Sequence, residues 1–134
     1  MRYMLLQAYG GVELEDCPPI TEWAPDDVRA HIDFQQTLNT ELLASGELVD
    51  AQALTGPDLA KFVVSDGIRS PRIIDGPYPE SKELLAGYRM IDVDSLDRAL
   101  EIAARSSAAP GPGGVPIQQQ IEVRQVLGAP DPEM

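Results

Sequence analysis

His31 is the only histidine of the chain and the first candidate for proton chemistry. An imidazole can accept or donate a proton near neutral pH, so one well-placed histidine is enough for general acid or base catalysis. Helical spacing sets it among the apolar residues of the segment 25–44. The alternative interpretation is a packed histidine that is satisfied by a single hydrogen bond.

The second candidate is Asp75, which begins the stretch "DGPYP" at residues 75–79. An aspartate in the first position of a turn before Gly-Pro commonly accepts hydrogen bonds from the backbone two or three residues further on. The functional alternative is a catalytic dyad, in which Asp75 orients the imidazole of His31 or shares its proton. This dyad requires contact between the two side chains, within one chain or across a dimer.

Four side chains in and after the same turn are candidates for ligand binding. Lys82 is a cation that could hold an anionic ligand in an otherwise acidic protein. Glu80 lies in the same polar run, which could equally be the solvated start of a helical turn. Tyr78 and Tyr88 offer hydroxyl groups, although packing with the hydroxyl on water or on a backbone carbonyl explains them as well.

The sequence lacks the residue patterns that common cofactors and metals require. With one histidine and one cysteine, Cys17, it has no His/Cys cluster for zinc or a transition metal. The glycine-rich stretch 109–114 has prolines where a phosphate loop needs backbone donors, and no G-x-S-x-G motif occurs. We therefore expect no cofactor and no metal, and we interpret Cys17 as an incidental thiol.

The charge balance excludes two classes of partner. The 134 residues include 22 Asp and Glu against 10 Lys and Arg, a net charge of −12. Nucleic acids and anionic membrane surfaces both require basic patches. No apolar run approaches the length of a transmembrane helix, the first residues lack the apolar core of a signal peptide, and a single cysteine fits a reducing compartment. We expect a cytoplasmic protein that binds neither nucleic acid nor membranes.

The hydrophobic pattern predicts one domain over residues 1–128 and a frayed tail over 129–134. Helices are predicted over 25–44 and 94–107, and strands over 2–10, 47–54, 59–65, 68–75, 87–93 and 117–127. The pair Asp66-Gly67 predicts a two-residue type I′ turn between the third and fourth strands. The order β-α-β, hairpin, β-α-β predicts an α+β, ferredoxin-like antiparallel sheet with two helices on one face and an extra β-hairpin.

The pattern also predicts which surfaces are buried. The helix stripes are expected to comprise Val28, Ile32, Phe34, Leu38 and Leu42 in the first helix and Leu96, Ala99, Leu100 and Ala103 in the second. Strand 2–10 is apolar on both faces, whereas two helices cover only one face of a sheet. We therefore expect a homodimer in which the uncovered sheet faces pack together.

The long motif "DGPYPESKELLAGYRMIDVDSLDRALEIAAR", residues 75–105, resembles the signature of the YCII-related, or DGPF-domain, family. That signature reads roughly D-G-P-F-x-E-T-K-E, followed by a Gly-aromatic strand, an acidic cap and an Ala-rich helix. The segments "YMLLQAY" and "IEVRQV" also look like this family. Here Tyr78 stands for the usual Phe, Pro79 for Ala and Ser81 for Thr.

The resemblance implies a dimeric α/β barrel of ferredoxin-like subunits with a cleft similar to that of small dimeric enzymes such as muconolactone isomerase. It favours a cofactor-free enzyme of acid/base, isomerase or lyase type, or a binder of small molecules, with the cleft near Asp75 and His31. The alternative is a non-catalytic regulatory or interaction protein, since some members are encoded beside, or fused to, alternative sigma factors of the extracytoplasmic type. A sigma factor is thus an expected partner by family association only.

Overall fold

The computed structural model describes residues 1–12, 17–76 and 85–132. The strands are β1 Arg2–Val12, β2 Leu48–Ala53, β3 Lys61–Val64, β4 Arg72–Asp75, β5 Leu85–Asp92 and β6 Gln119–Gln125. The helices are α1 Pro25–Ala44 and α2 Leu96–Ser107. This is the predicted order of two β-α-β units around a hairpin.

The main sheet is antiparallel and has the strand order β2-β5-β1-β6, while β3 and β4 form a separate two-stranded sheet. The central strands β1 and β5 are adjacent although far apart in sequence, as in a ferredoxin-like fold. In this register Leu5 of β1 lies between Arg89 of β5 and Val123 of β6. The α+β, ferredoxin-like fold class is confirmed.

Helix α1 begins and ends where its terminal residues predict. Pro25 occupies the first turn, where its missing N–H is not needed, and Asp26 and Asp27 lie at the positive end of the helix dipole. Gly46 follows the last turn with φ 78°, a backbone conformation that favours glycine. The predicted bounds 25–44 are therefore confirmed.

The core lies between the helices and one face of the main sheet. It contains Tyr3, Leu5, Leu38, Leu42, Ile91, Val93, Ala99, Ile102 and Ala103. The predicted stripe of α2 is wrong in part, because Leu96 and Leu100 are exposed and the buried side is instead formed by Ala99, Ile102, Ala103 and Ser106. Both stripes have the spacing i, i+3, i+4, i+7, so periodicity alone does not choose between them. Ile32 of α1 is likewise exposed.

The hairpin is present, but its predicted two-residue turn is wrong. Strand pairing ends at Val64 and Arg72, so residues 65–71 form a longer connection. The Oδ1 atom of Asp66 accepts hydrogen bonds at 2.9 Å from the backbone N–H groups of Ile68 and Arg69, which closes a local turn inside this connection. Pro71 has no N–H to donate to a strand ladder, and regular pairing accordingly starts at the next residue.

The face of the main sheet away from the helices has an apolar centre. Met4 pairs with Met90 and Leu6 with Tyr88, and all four side chains are half-buried. The Tyr88 hydroxyl donates a 2.9 Å hydrogen bond to Oδ2 of Asp50, which lowers the pKa of that carboxyl and raises the pKa of the phenol. Pairing of this face with a second copy of the chain stays a prediction.

An ion pair connects α2 to the start of β2. The Arg98 guanidinium donates from Nε and Nη2 to the two carboxylate oxygens of Glu47, each at 2.8 Å. These bonds, with a smaller contribution from Ser45, lower the pKa of Glu47 from 4.5 to about 2. Because the folded-state pKa is depressed, the pair stabilises the fold above pH 4.5, and this contribution is lost as pH falls toward 2.

We expect Glu47→Gln to lower the free energy of unfolding by about 1–2 kcal/mol at neutral pH, since the pair is bidentate but only partly shielded from water. The difference from the parent protein should shrink steadily between pH 5 and pH 2. Urea unfolding followed by circular dichroism measures both. Glu101→Gln is the matched control, because Glu101 binds the same arginine with a side chain that is 67% exposed, against 17% for Glu47. Equal effects of the two substitutions would contradict the assignment.

Candidate functional site

A cleft of about 710 Å³ opens beside α1. Helix α1 and the preceding segment 17–23 form one wall, and residues of β2 and β5 form the other. Its apolar lining includes Ile20, Trp23 and Leu54, and its polar lining includes His31 and Arg89. A concave site with apolar walls and a few convergent polar groups is typical of small-molecule binding.

His31 lies in the wall of this cleft with one ring nitrogen already engaged. Its Nδ1 atom is 3.0 Å from the carbonyl oxygen of Pro110, and because a carbonyl only accepts, Nδ1 carries the proton. Among the described residues Nε2 has no hydrogen-bond partner, so in the neutral ring its lone pair remains available. The ring of Trp23 contacts the imidazole edge-on with centroids 5.5 Å apart, and its Nε1 donates to the Pro18 carbonyl at 2.8 Å.

Four polar residues of α1 line the cleft, Gln36 among them, and the other three follow helical spacing. They are His31, Gln35 and Asn39, at positions i, i+4 and i+8, and we call them the polar row of α1. The row runs beside the buried stripe of Leu38 and Leu42, so core packing fixes its orientation. Helix α1 therefore presents hydrogen-bonding groups to the cleft while it buries its apolar side.

Arg89 of β5 lies opposite the polar row and is only 4% exposed. Its Nε donates to Oδ1 of Asn39 at 2.7 Å, its Nη1 to Oγ of Ser106 at 2.9 Å, and its Nη2 to the side-chain and backbone oxygens of Gln35. The Ser106 oxygen also accepts from Nε2 of Gln7 at 2.7 Å. Burial lowers the pKa of the Arg89 guanidinium to about 10, since a low-dielectric environment disfavours its charged form.

Asp75 lies at the end of β4, outside the described lining of the cleft. It is exposed, and its Oδ1 atom pairs with Nζ of Lys61 at 2.6 Å across the hairpin. Within the described part of one chain His31 and Asp75 are not hydrogen-bonded to each other; the carbonyl of Pro110 occupies Nδ1 of His31 instead. The His31–Asp75 dyad stays a prediction.

Gly76 shows a structural reason for the turn that follows β4. Its N–H donates to the carbonyl of Ala60 at 2.7 Å. A Cβ atom at this position would lie 2.5 Å from the carbonyl oxygen of Pro57 and 3.0 Å from that of Ala60. Only glycine fits so close to a neighbouring backbone, so the Asp75-Gly76 step closes the base of the hairpin without any ligand.

The remaining predicted ligand-binding residues divide into two groups. Tyr88 is among the residues that line the cleft, but its hydroxyl is bonded to Asp50 on the sheet face away from the helices. Tyr78, Glu80 and Lys82 lie outside the described residues. Sequence reasoning missed Gln35, Asn39 and Arg89. Gln35 and Asn39 could have been found from their i+4 and i+8 spacing relative to His31. Arg89 could have been found as a charged residue on the same strand face as Ile91 and Val93.

No group of three His, Cys, Asp or Glu side chains in the described ranges is arranged to hold a metal ion. Neither described helix has the length and apolar character needed to cross a bilayer.

Comparison with known protein families matches residues 1–117 to the YCII-related domain. No curated protein is similar enough to the chain to be matched. The matched region contains both helices, strands β1 to β5, and all the polar groups that line the cleft except Gln119.

Proposed function

The chain belongs to the YCII-related domain family, and on that premise we propose that its cleft binds a small organic molecule with which His31 exchanges a proton. The observation that carries this proposal is the bond from Nδ1 of His31 to the Pro110 carbonyl. It fixes the neutral tautomer and leaves Nε2 as the nitrogen available for chemistry in the cleft.

Two features support a catalytic rather than a purely structural histidine. First, the imidazole is half-buried in the cleft wall, so a ligand can reach it. Second, the ring is held from two sides, by the Pro110 carbonyl and by the Trp23 ring, which lies nearly perpendicular to it. A positioned base is effective because its orientation does not have to be found during the reaction.

The chemistry that needs nothing beyond these groups is proton transfer. In an isomerisation, Nε2 would remove a proton from one carbon of the ligand while the electron pair shifts within the ligand. The imidazolium would then return the proton to a second carbon. In an elimination, the electron pair would instead expel a leaving group and the imidazolium would release its proton to water.

A test uses the fact that His31 is the only histidine, so that histidine labelled with ¹³C and ¹⁵N gives one imidazole signal. We expect the ¹⁵N shifts to report the Nδ1–H tautomer, and small cyclic ketones and lactones screened as mixtures to move this signal. Bound compounds with an acidic C–H should exchange it for deuterium in heavy water. His31→Gln should slow that exchange by about 10²- to 10⁴-fold, the usual contribution of a general base.

The control is Thr37→Gln, an exposed position of α1 outside the described lining of the cleft, which should leave exchange unchanged. Glutamine at position 31 can still donate to the Pro110 carbonyl, so the helix position is preserved. The proposal fails if no compound moves the imidazole signal, or if exchange proceeds equally fast in His31→Gln.

A further inference from the structure

The charge in the described lining of the cleft is opposite in sign to the net charge of the whole chain. The chain carries a net charge of −12, yet no Asp or Glu belongs to the described lining, whose only permanently charged side chain is Arg89. Field lines from a buried charge are focused into a cleft with low-dielectric walls. The one permanent charge in the described lining is therefore positive, although the protein as a whole is acidic.

The charge of Arg89 has no counter-ion among the described residues. All four of its hydrogen bonds end on neutral oxygens, from an asparagine, a serine and a glutamine. Neutral acceptors satisfy the N–H groups but do not neutralise a buried cation, and an isolated buried charge carries a desolvation cost. An anionic group placed in the cleft would relieve part of that cost.

Arg89 also determines how the neighbouring amide groups are oriented. Because Arg89 has only donors, Asn39 and Gln35 must turn their side-chain oxygens toward it. Their NH₂ groups are then left to donate elsewhere, and neither donates a hydrogen bond to any other described residue. Both side chains line the cleft. The polar row of α1 thus offers the cleft two amide donors, backed by a positive charge.

We infer that the ligand of this cleft carries a carboxylate, which the NH₂ groups of Asn39 and Gln35 bind above the buried guanidinium of Arg89. This rests on the proposed function, since it names the ligand class of the same cleft. Amide donors beside a buried cation provide the kind of charge-assisted hydrogen bonding that a carboxylate accepts. The apolar walls at Ile20, Trp23 and Leu54 suit an aromatic or aliphatic body on that carboxylate.

The test compares benzoate with benzamide, which have the same shape and differ in charge. Each is titrated into the labelled protein while the His31 imidazole signal is followed. We expect the parent protein to bind benzoate at least about tenfold more tightly than benzamide. Raising the salt concentration should weaken only benzoate binding.

Asn39→Asp is the decisive variant, because it places a carboxylate 2.7 Å from Nε of Arg89 with almost no change of shape. This internal counter-ion should raise the melting temperature and reduce the preference for benzoate to within about twofold. Thr40→Asp, at an exposed neighbouring position outside the described lining, adds the same charge and should leave the preference intact. Arg89→Met should also lose the preference.

The outcomes separate this inference from the proposed function. If both probes move the imidazole signal with equal affinity, the carboxylate inference is overturned, while a ligand-binding cleft at His31 stands. If Asn39→Asp and Thr40→Asp reduce the preference equally, general repulsion explains it, and the inference is again overturned. A titration up to about 20 mM ligand detects dissociation constants in the millimolar range. If neither probe binds at that concentration, the cleft does not take small carboxylates and the carboxylate inference is overturned. The proton-transfer proposal is then decided by the screen with His31→Gln.

Discussion

Replacing Leu42 with alanine is expected to lower the free energy of unfolding by about 3 kcal/mol. Leu42 is 1% exposed and lies in the core between α1 and the main sheet. The substitution removes three carbon atoms from a close-packed interior, and the cost includes both the lost burial and the cavity that remains. Against a total stability of about 5–15 kcal/mol for a domain of this size, such a loss is large.

The adjacent residue provides the matched control for this prediction. Leu43→Ala makes the same chemical change one position further along the same helix, where the side chain is 63% exposed. Its effect should stay within about 0.5 kcal/mol. Urea unfolding of both variants measures the difference. We expect the slope of the unfolding free energy against urea concentration to be the same in both. Similar losses at the two positions would mean that the assigned face of α1 is wrong.

The second large effect is expected at Ser106, which is 1% exposed and accepts hydrogen bonds from both Arg89 and Gln7. Ser106→Ala leaves a buried, charged donor of Arg89 and a half-buried amide donor of Gln7 without this acceptor. An unsatisfied buried donor costs about 1–3 kcal/mol and more where it is charged, so we expect a loss of about 3 kcal/mol. Because the lost hydrogen bonds hold Arg89 in place, the substitution should also weaken the preference for benzoate over benzamide.

Ser107→Ala is the control, since it also removes a hydroxyl from the last turn of α2. The Ser107 hydroxyl donates to the carbonyl of Gln119, and the residue is only half-buried, so water can replace the lost bond. A loss of about 1 kcal/mol or less is expected there. If Ser106→Ala proves as mild as Ser107→Ala, Arg89 has other means of satisfying its N–H groups and the network as described is incorrect.

The helices were predicted well because residues at or next to their ends determine where they begin and end. Pro25 and Gly46 mark the limits of α1, and Ser95 caps α2 by accepting from the N–H of Arg98 at 3.1 Å. The turn at Asp66-Gly67 is the local exception, and the other failure arises where a second segment decides the outcome. The buried side of α2 depends on how closely Ala99 and Ala103 let the helix approach the sheet, which its own periodicity does not encode.

The candidate site divides in the same way. His31 was identifiable as the only residue of its type, and its neighbours in the polar row follow from helical spacing. The Pro110 carbonyl that orients the His31 ring could not be predicted from spacing, because Pro110 is 79 positions away in sequence. Arg89 shared a strand face with Ile91 and Val93, and an arginine at an inward position was the visible sign of a polar site. Its partners on α1 and α2 depend on tertiary contacts.

The two-stranded sheet of β3 and β4 bears on solubility and self-association. Among the described residues β3 and β4 pair only with each other, and Val63, Ile68 and Ile73 of this hairpin are exposed. Open edges with apolar side chains are templates for uncontrolled strand pairing unless something interrupts them. Here Pro71 blocks one edge at its start, and the strands are only four residues long. The hairpin is thus protected from open-ended stacking yet retains an apolar surface that one defined partner could cover.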